Sequence, residues 1–247
     1  MKLNRRTFFK VAGAAGAVAL APAKSATAST AASSLDANRR GVLVDTTKCI
    51  GCRACEAACA EANTLPGPAM LDDAAVFASP RKTDTTSFTV VNRAAGSTPE
   101  RFVKRQCMHC VDPGCISVCP VTAMRKDPDT GIVTHHPEAC IGCRYCVWAC
   151  PYNIPKWDFE DAFEQIQKCE FCEHRLAEGK LPACVEHCPT GASLFGTREE
   201  MLAEAHRRLA LEPGLGTAFG LSGRHRVEQH FSWTAIAQKT LELYRSL

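Results

Sequence analysis

Sixteen cysteines punctuate this 247-residue chain, and they fall into four groups of four with none left over. The groups are Cys49, Cys52, Cys55, Cys59; Cys107, Cys110, Cys115, Cys119; Cys140, Cys143, Cys146, Cys150; and Cys169, Cys172, Cys184, Cys188. The first and third read C-x2-C-x2-C-x3-C, the second widens the middle gap to four residues, and the last widens it to eleven. Thiolates are soft ligands, so this density points to metal chemistry. Tetrahedral zinc needs only four ligands, usually as two separated pairs, and a triplet loop with a fourth cysteine exceeds that need. A disulfide framework, the other ordinary use of an even cysteine count, belongs mostly to much shorter chains.

The C-x2-C-x2-C-x3-C run is the one by which bacterial ferredoxins hold 4Fe-4S cubes: three cysteines wrap one cube, and the fourth ligates the other cube of a pair. Gly51 and Gly142, within the repeated C-I-G-C, permit the tight turn that brings backbone amides to the sulfurs. Pro120, Pro151 and Pro189 follow the fourth cysteine in three groups, while Ala60 stands there in the first. Twenty residues separate Cys119 from Cys140, with a D-P-D-T-G turn before a short apolar strand at 132–134. Groups two and three therefore read as one ferredoxin unit, and by elimination groups one and four pair with each other. The expected ligand sets are Cys107, Cys110, Cys115 with Cys150; Cys140, Cys143, Cys146 with Cys119; Cys49, Cys52, Cys55 with Cys188; and Cys169, Cys172, Cys184 with Cys59. Four 4Fe-4S clusters are the expected cofactors, and no catalytic residue is assigned.

The elements that must position these loops follow. The expected fold is α+β, two nested bacterial-ferredoxin-like units in a loop-rich scaffold built around the clusters. The 4Fe-4S domain is expected over 41–196, with an inner unit at 101–152 and an outer unit formed by 41–60 with 165–196. A strand at 41–45 delivers the first loop; residues 60–106 form an insertion, read as a surface loop, with strands at 88–91 and 102–104. Thr197 and Glu200 form a capping box that opens an amphipathic helix through about Leu211, stopped by Pro213-Gly214, within a C-terminal helical tail at 197–247. With clusters in place of a large apolar core, folding and metal binding should be coupled.

The N-terminus, MKLNRRTFFKVAGAAGAVALAPAKSATAS, joins Arg5-Arg6 to Phe8-Phe9-Lys10 and a mildly apolar stretch, and it reads as a twin-arginine signal over 1–28, with a linker at 29–40. Export in the folded state lets clusters be installed before the thiols meet an oxidising compartment, and the expected location is the periplasm. Removing the leader takes five of the 29 basic residues and no acid, leaving 24 against 26 and a formal charge of −2. That argues against a nucleic-acid partner. No apolar run near twenty residues occurs, so no transmembrane helix is expected.

Single residues near the loops have ordinary readings. His109, His135, His136, His174 and His187 read as hydrogen-bonding loop residues, since sixteen thiols already fill the ligand positions. Arg53, Arg144, Lys156 and Lys168 could raise cluster potentials, though solvated surface charge explains each at least as well. Tyr145, Trp148, Tyr152 and Trp157 could shield a cluster or simply pack.

The stretches QCMHCVDPGCISVCP, KDPDTGIV, GCRYCVWACPYNIPK, KCEFC, CVEHCPTGA and FGTREEMLAEA carry a resemblance. From Gly41 to about Pro213 the chain resembles the four-cluster iron-sulfur subunits of the dimethyl sulfoxide reductase type, most nearly the branch that serves periplasmic nickel-iron hydrogenases. The resemblance implies a non-catalytic electron-transfer subunit. Its partners would be a nickel-iron hydrogenase, or alternatively a molybdopterin or nitrite-linked enzyme, and an integral quinone-reactive subunit. Members of that branch commonly end in a transmembrane anchor, and the ending FSWTAIAQKTLELYRSL carries none, so attachment to the inner membrane would come through a partner.

Overall fold

In this computed structural model the described residues are 38–247, excepting 69, 72, 160–164, 212–213, 231 and 247. The leader and most of the linker expected from the sequence lie outside them.

Three antiparallel two-stranded ladders frame the cysteine loops. Strand β1 (Arg40–Val44) comes just before the first cysteine group. Strands β2 (Val90–Arg93) and β3 (Phe102–Arg105) form a hairpin with Val91 opposite Lys104. Strands β4 (Met124–Lys126) and β5 (Val133–His135) form a second. Strand β6 (Ser193–Thr197) pairs with β1 from Arg40↔Thr197 to Val44↔Ser193, closing the start of the cysteine region on its end. The turn expected between groups two and three is built as its residues dictate. Asp127 Oδ1 accepts from the N–H of Thr130 at 2.6 Å and its hydroxyl at 2.7 Å, and Gly131 adopts φ 70°. Strand β2 starts two residues later than the sequence suggested, because a ladder begins only where β3 supplies a partner.

Each cysteine group contributes one short helix: α1 (Ala54–Ala62), α2 (Gly114–Ser117), α3 (Tyr145–Ala149) and, in the last group after the separate helix α4 (Glu173–Ala177), α5 (Ala183–Glu186). Helix α1 packs on α5, and α2 packs on α3. The buried cores are small and interleave thiols with apolar groups. One joins Phe88, Ile132, Phe171 and Val185 to Cys59, Cys169 and Cys184; another joins Met124, Val133, Trp157 and Ile166 to Cys146.

Helix α6 (Arg198–Leu211) begins at the expected capping box, with Glu200 N–H donating to Thr197 Oγ1 at 3.2 Å and Thr197 N–H to Glu200 Oε2 at 2.8 Å. Beyond it lie α7 (Leu215–His230) and α8 (Trp233–Ser246), two helices whose individual bounds sequence reasoning did not find. Among the described residues no helix is long and apolar enough to cross a membrane.

Candidate iron-sulfur site

The repeated C-I-G-C-R phrase folds the same way twice. Gly51 and Gly142 take φ 73° and 69°, and the arginines that follow, Arg53 and Arg144, cap α1 and α3 in the left-handed region at φ 60° and 64°. That conformation costs a non-glycine residue roughly 1–2 kcal/mol, and each arginine has a compensating contact. Arg53 Nε donates to Glu56 at 3.1 Å, with both side chains 5 % exposed, and the Arg144 guanidinium lies 4.7 Å from the Trp157 ring centre. The third cysteine of each group, Cys55, Cys115, Cys146 or Cys184, then falls within the short helix.

A second repeated device follows the fourth cysteine in three groups. The residue three positions on (Thr122, Asn153 or Gly191) is left-handed and returns its N–H to the cysteine carbonyl. In the second and last groups the turn aims amides at sulfur: Ala123 N–H lies 3.2 Å from Cys119 Sγ. Burial raises the Cys119 and Cys188 thiols, but the surrounding backbone donors outweigh it and leave both lowered. Elsewhere burial dominates, pushing Cys55 and Cys59 up to about 12 and Cys115 and Cys146 to about 11. Those thiols must lose protons before they can bind metal, so binding there is coupled to proton release.

None of the sixteen cysteines is in a disulfide. Packing brings Cys55 and Cys107 against the core of Cys59, Cys169 and Cys184, and Cys115, Cys119 and Cys140 against that of Cys146, and the electrostatic influence of thiol on thiol follows the same neighbourhoods. Cys49 feels Cys52 and Cys188, and Cys55 feels Cys49. Cys59 feels Cys172 and Cys184, and Cys169 feels Cys59 and Cys184. Cys115 feels Cys107, Cys110 and Cys150. Cys146 feels Cys140 and Cys143, and Cys119 packs in the same core. Three further pairs join one neighbourhood to the next: Cys55 with Cys184, Cys169 with Cys107, and Cys115 with Cys146. Among the described residues no three His, Cys, Asp or Glu side chains stand close enough to hold a single metal ion.

The surroundings suit a sulfur-rich cluster. His109 Nδ1 accepts the Val133 N–H at 2.9 Å, which leaves the proton on Nε2, and its ring stacks on Phe171 with centroids 3.7 Å apart. Burial, and then the Lys168 charge, hold His109 well below its usual range and therefore neutral. His109 Nε2, Trp157 Nε1 and Arg144 Nε are buried beside the cysteine loops without a protein partner. A buried donor left unpaired costs about 1–3 kcal/mol, and cluster or thiolate sulfur is an acceptor of the right kind.

Several readings from sequence are corrected. Arg53 and Lys168 are not solvated; they are 5 % and 4 % exposed. Lys168 Nζ donates to the Val133 carbonyl and to the Cys169 carbonyl at 3.1 Å. Of the four aromatics near group three only Trp157 is buried; Tyr145 and Trp148 are exposed, Trp148 at 84 %. The 60–106 insertion is no plain surface loop, because Glu56 ties it to α1 through the Val91 N–H at 2.6 Å and both Arg81 terminal nitrogens. Glu56 and Lys104 were missed. A charged residue amid the alanines and cysteines of 54–62 was the available signal for the first, and the strand alternation of F-V-K-R for the second.

Residues 99–198 match the model of the 4Fe-4S dicluster domain family. The chain is 48 % identical over 185 residues to the hydrogenase-2 operon protein HybA of Escherichia coli, covering 70 % of this chain and 56 % of HybA. It is equally similar, over 220 residues, to a protein of Nitratidesulfovibrio vulgaris, covering 86 % of this chain and 59 % of that one. It is 40 % identical over 172 residues to the iron-sulfur subunit of the nitrate-inducible formate dehydrogenase of Escherichia coli, covering 68 % and 58 %. The chain thus spans somewhat more than half the length of these relatives. It is HybA-like in sequence, carries an iron-sulfur dicluster domain, and is related to iron-sulfur subunits of formate dehydrogenases.

Proposed function

We propose that this HybA-like chain is the electron-transfer subunit of a respiratory oxidoreductase, relaying single electrons through four 4Fe-4S clusters between a nickel-iron hydrogenase and a membrane quinone-reactive subunit. The proposed ligand sets are A (Cys49, Cys52, Cys55, Cys188), B (Cys169, Cys172, Cys184, Cys59), C (Cys107, Cys110, Cys115, Cys150) and D (Cys140, Cys143, Cys146, Cys119). When bound, the clusters supply one-electron acceptance and release. The thiols would hold them, the turn amides and the unpartnered buried donors would supply hydrogen bonds to sulfur, and the small apolar cores would keep water away.

One observation carries the relay. Packing links A to B through Cys55 against the core of Cys59, Cys169 and Cys184, B to C through Cys107 against that same core, and C to D through Cys115 against the core of Cys146, and the two exposed cysteines, Cys52 and Cys143, fall in the terminal sets A and D. A relay whose fully exposed cysteines lie in its two end sets suits passage between two partners. The packing of α1 on α5 and of α2 on α3 supports two nested ferredoxin units, at 41–60 with 165–196 and at 101–152, inside a cluster domain at 41–196. Export by the twin-arginine route, with cleavage after residue 28, would place the protein in the periplasm, held to the inner membrane by its partners.

The hydrogenase reading rests on the likeness to HybA, and the likeness to a formate dehydrogenase subunit favours a molybdopterin enzyme as the second reading. Protein tagged in its native cells and purified anaerobically in mild detergent decides between them. Cluster absorbance bleached by hydrogen supports the first. Bleaching by formate, with hydrogen inert and dithionite effective, supports the second. A colourless preparation without iron and acid-labile sulfide would sink both and leave a structural metal site.

A further inference from the structure

We propose that Lys104 is a positioning residue for redox potential, its ammonium carried by the β2–β3 hairpin to the seam between sets A and B, where it favours the reduced clusters. The inference rests on the cluster loading proposed above.

Strand alternation aims the hairpin. Phe102 and Lys104 share one face of β3, while Val103 faces away and is 45 % exposed. The Phe102 ring lies against Gly51 in the first cysteine loop, where an added Cβ would come within 2.5 Å of it. Two residues on, Lys104 Nζ donates to Cys184 Sγ at 3.0 Å. Val91 pairs with Lys104 across the ladder, and the Val91 N–H is held by Glu56 of α1, so the lysine is braced from the helix that carries Cys55 and Cys59.

The charge is aimed at two sets. Lys104 acts on Cys49 and Cys55 of set A and on Cys59, Cys169 and Cys184 of set B. The charge acting on Cys107 and Cys115 of set C is that of Lys168. Lys168 has carbonyls and Glu170, 3.4 Å away, as partners, whereas the one hydrogen bond of the Lys104 ammonium among the described residues is to sulfur. Lys104 Nζ donates to Cys184 Sγ, and the thiolates of a loaded cluster would hold the amine as an ammonium. Each electron a cluster accepts adds one negative charge. A fixed cation beside it therefore stabilises the reduced form and raises its potential, most strongly where water is excluded.

The test is an EPR-monitored redox titration of the anaerobically purified native complex carrying wild-type protein, K104M or K104R. In K104M at least one of the four midpoint potentials, and at most two, should fall, each by a tenfold or greater loss in its reduction equilibrium, about 59 mV for one electron. The remaining clusters should hold, and K104R should stay near wild type. Unmoved potentials in K104M, an equal fall in all four, or a K104R that falls as far as K104M would each overturn the proposal. If K104M loses iron, K104Q repeats the measurement; loss of iron from both with K104R fully loaded would make the lysine a structural requirement and also overturn it. A wild-type protein without clusters would defeat the functional reading itself, an outcome distinct from loaded protein with unmoved potentials.

Discussion

Glu56 Oε1 accepts the Val91 N–H at 2.6 Å, joining the helix of the first cysteine group to the centre of the β2–β3 hairpin. The same carboxylate pairs with Arg53 and, through both oxygens, with Arg81, and its side chain is only 5 % exposed. Removing one member of a buried ionic cluster leaves its partners desolvated and unpaired, at a cost of about 3–5 kcal/mol. Glu56→Ala should therefore detach the hairpin, visible as faster amide exchange across residues 90–105 with β4–β5 unaffected. Unchanged exchange at Val91 would show that the clamp contributes little.

The Gly51–Phe102 contact makes the two C-I-G-C loops unequal. A Cβ at Gly51 would lie 2.5 Å from the Phe102 ring, whereas one at Gly142 would meet Trp157 at 3.2 Å. Both positions carry the left-handed penalty, on the order of 1–2 kcal/mol for alanine, so the difference between them reports the clash. Gly51→Ala should lose more iron than Gly142→Ala, and Phe102→Leu in the Gly51→Ala background should restore part of it. Equal losses in the two single variants would count against the contact.

The exchange of fourth cysteines between loops is tested by Cys150→Ser. Cys110 and Cys115 both feel the Cys150 charge. The substitution should damage the cluster of Cys107, Cys110 and Cys115 more than that of Cys140, Cys143 and Cys146. EPR spectra in which the second cluster suffers and the first survives would reverse the assignment of sets C and D.

Helix α6 is held to the domain by Arg208 Nη1, 2.6 Å from Asp45 Oδ2 just after β1. Burial raises the Asp45 carboxyl, but hydrogen bonds from Thr47 and Arg208 outweigh it and leave it lowered. A lowered folded-state value means that the stabilisation is present above the ordinary carboxylate range, near ~3.9, and is lost as pH falls through the folded value. Protection of residues 198–211 from exchange should accordingly hold between neutral pH and about pH 5 and drop below about pH 4. Asp45→Asn should show reduced protection already at neutral pH; an Asn variant protected like wild type would remove Asp45 from the account.

What the sequence determined by itself is what local chemistry dictates. Sixteen thiols at ferredoxin spacing, the glycine turns at 51 and 142, the Asp127 turn and the Thr197–Glu200 cap each depend on residues a few positions apart, and each is found as read. The tail at 197–247 was legible as helical, but the separate bounds of α7 and α8 were not, since α7 carries little amphipathic patterning to mark them. Tertiary structure alone decided which way long-range side chains point. Sequence placed Lys104 on a strand and Glu56 beside a cysteine, but β2–β3 register and the packing of α1 on α5 determine that one reaches Cys184 and the other grips Val91. A charged side chain reads as solvent-facing until the fold surrounds it, and burial is a property of what packs there from elsewhere in the chain.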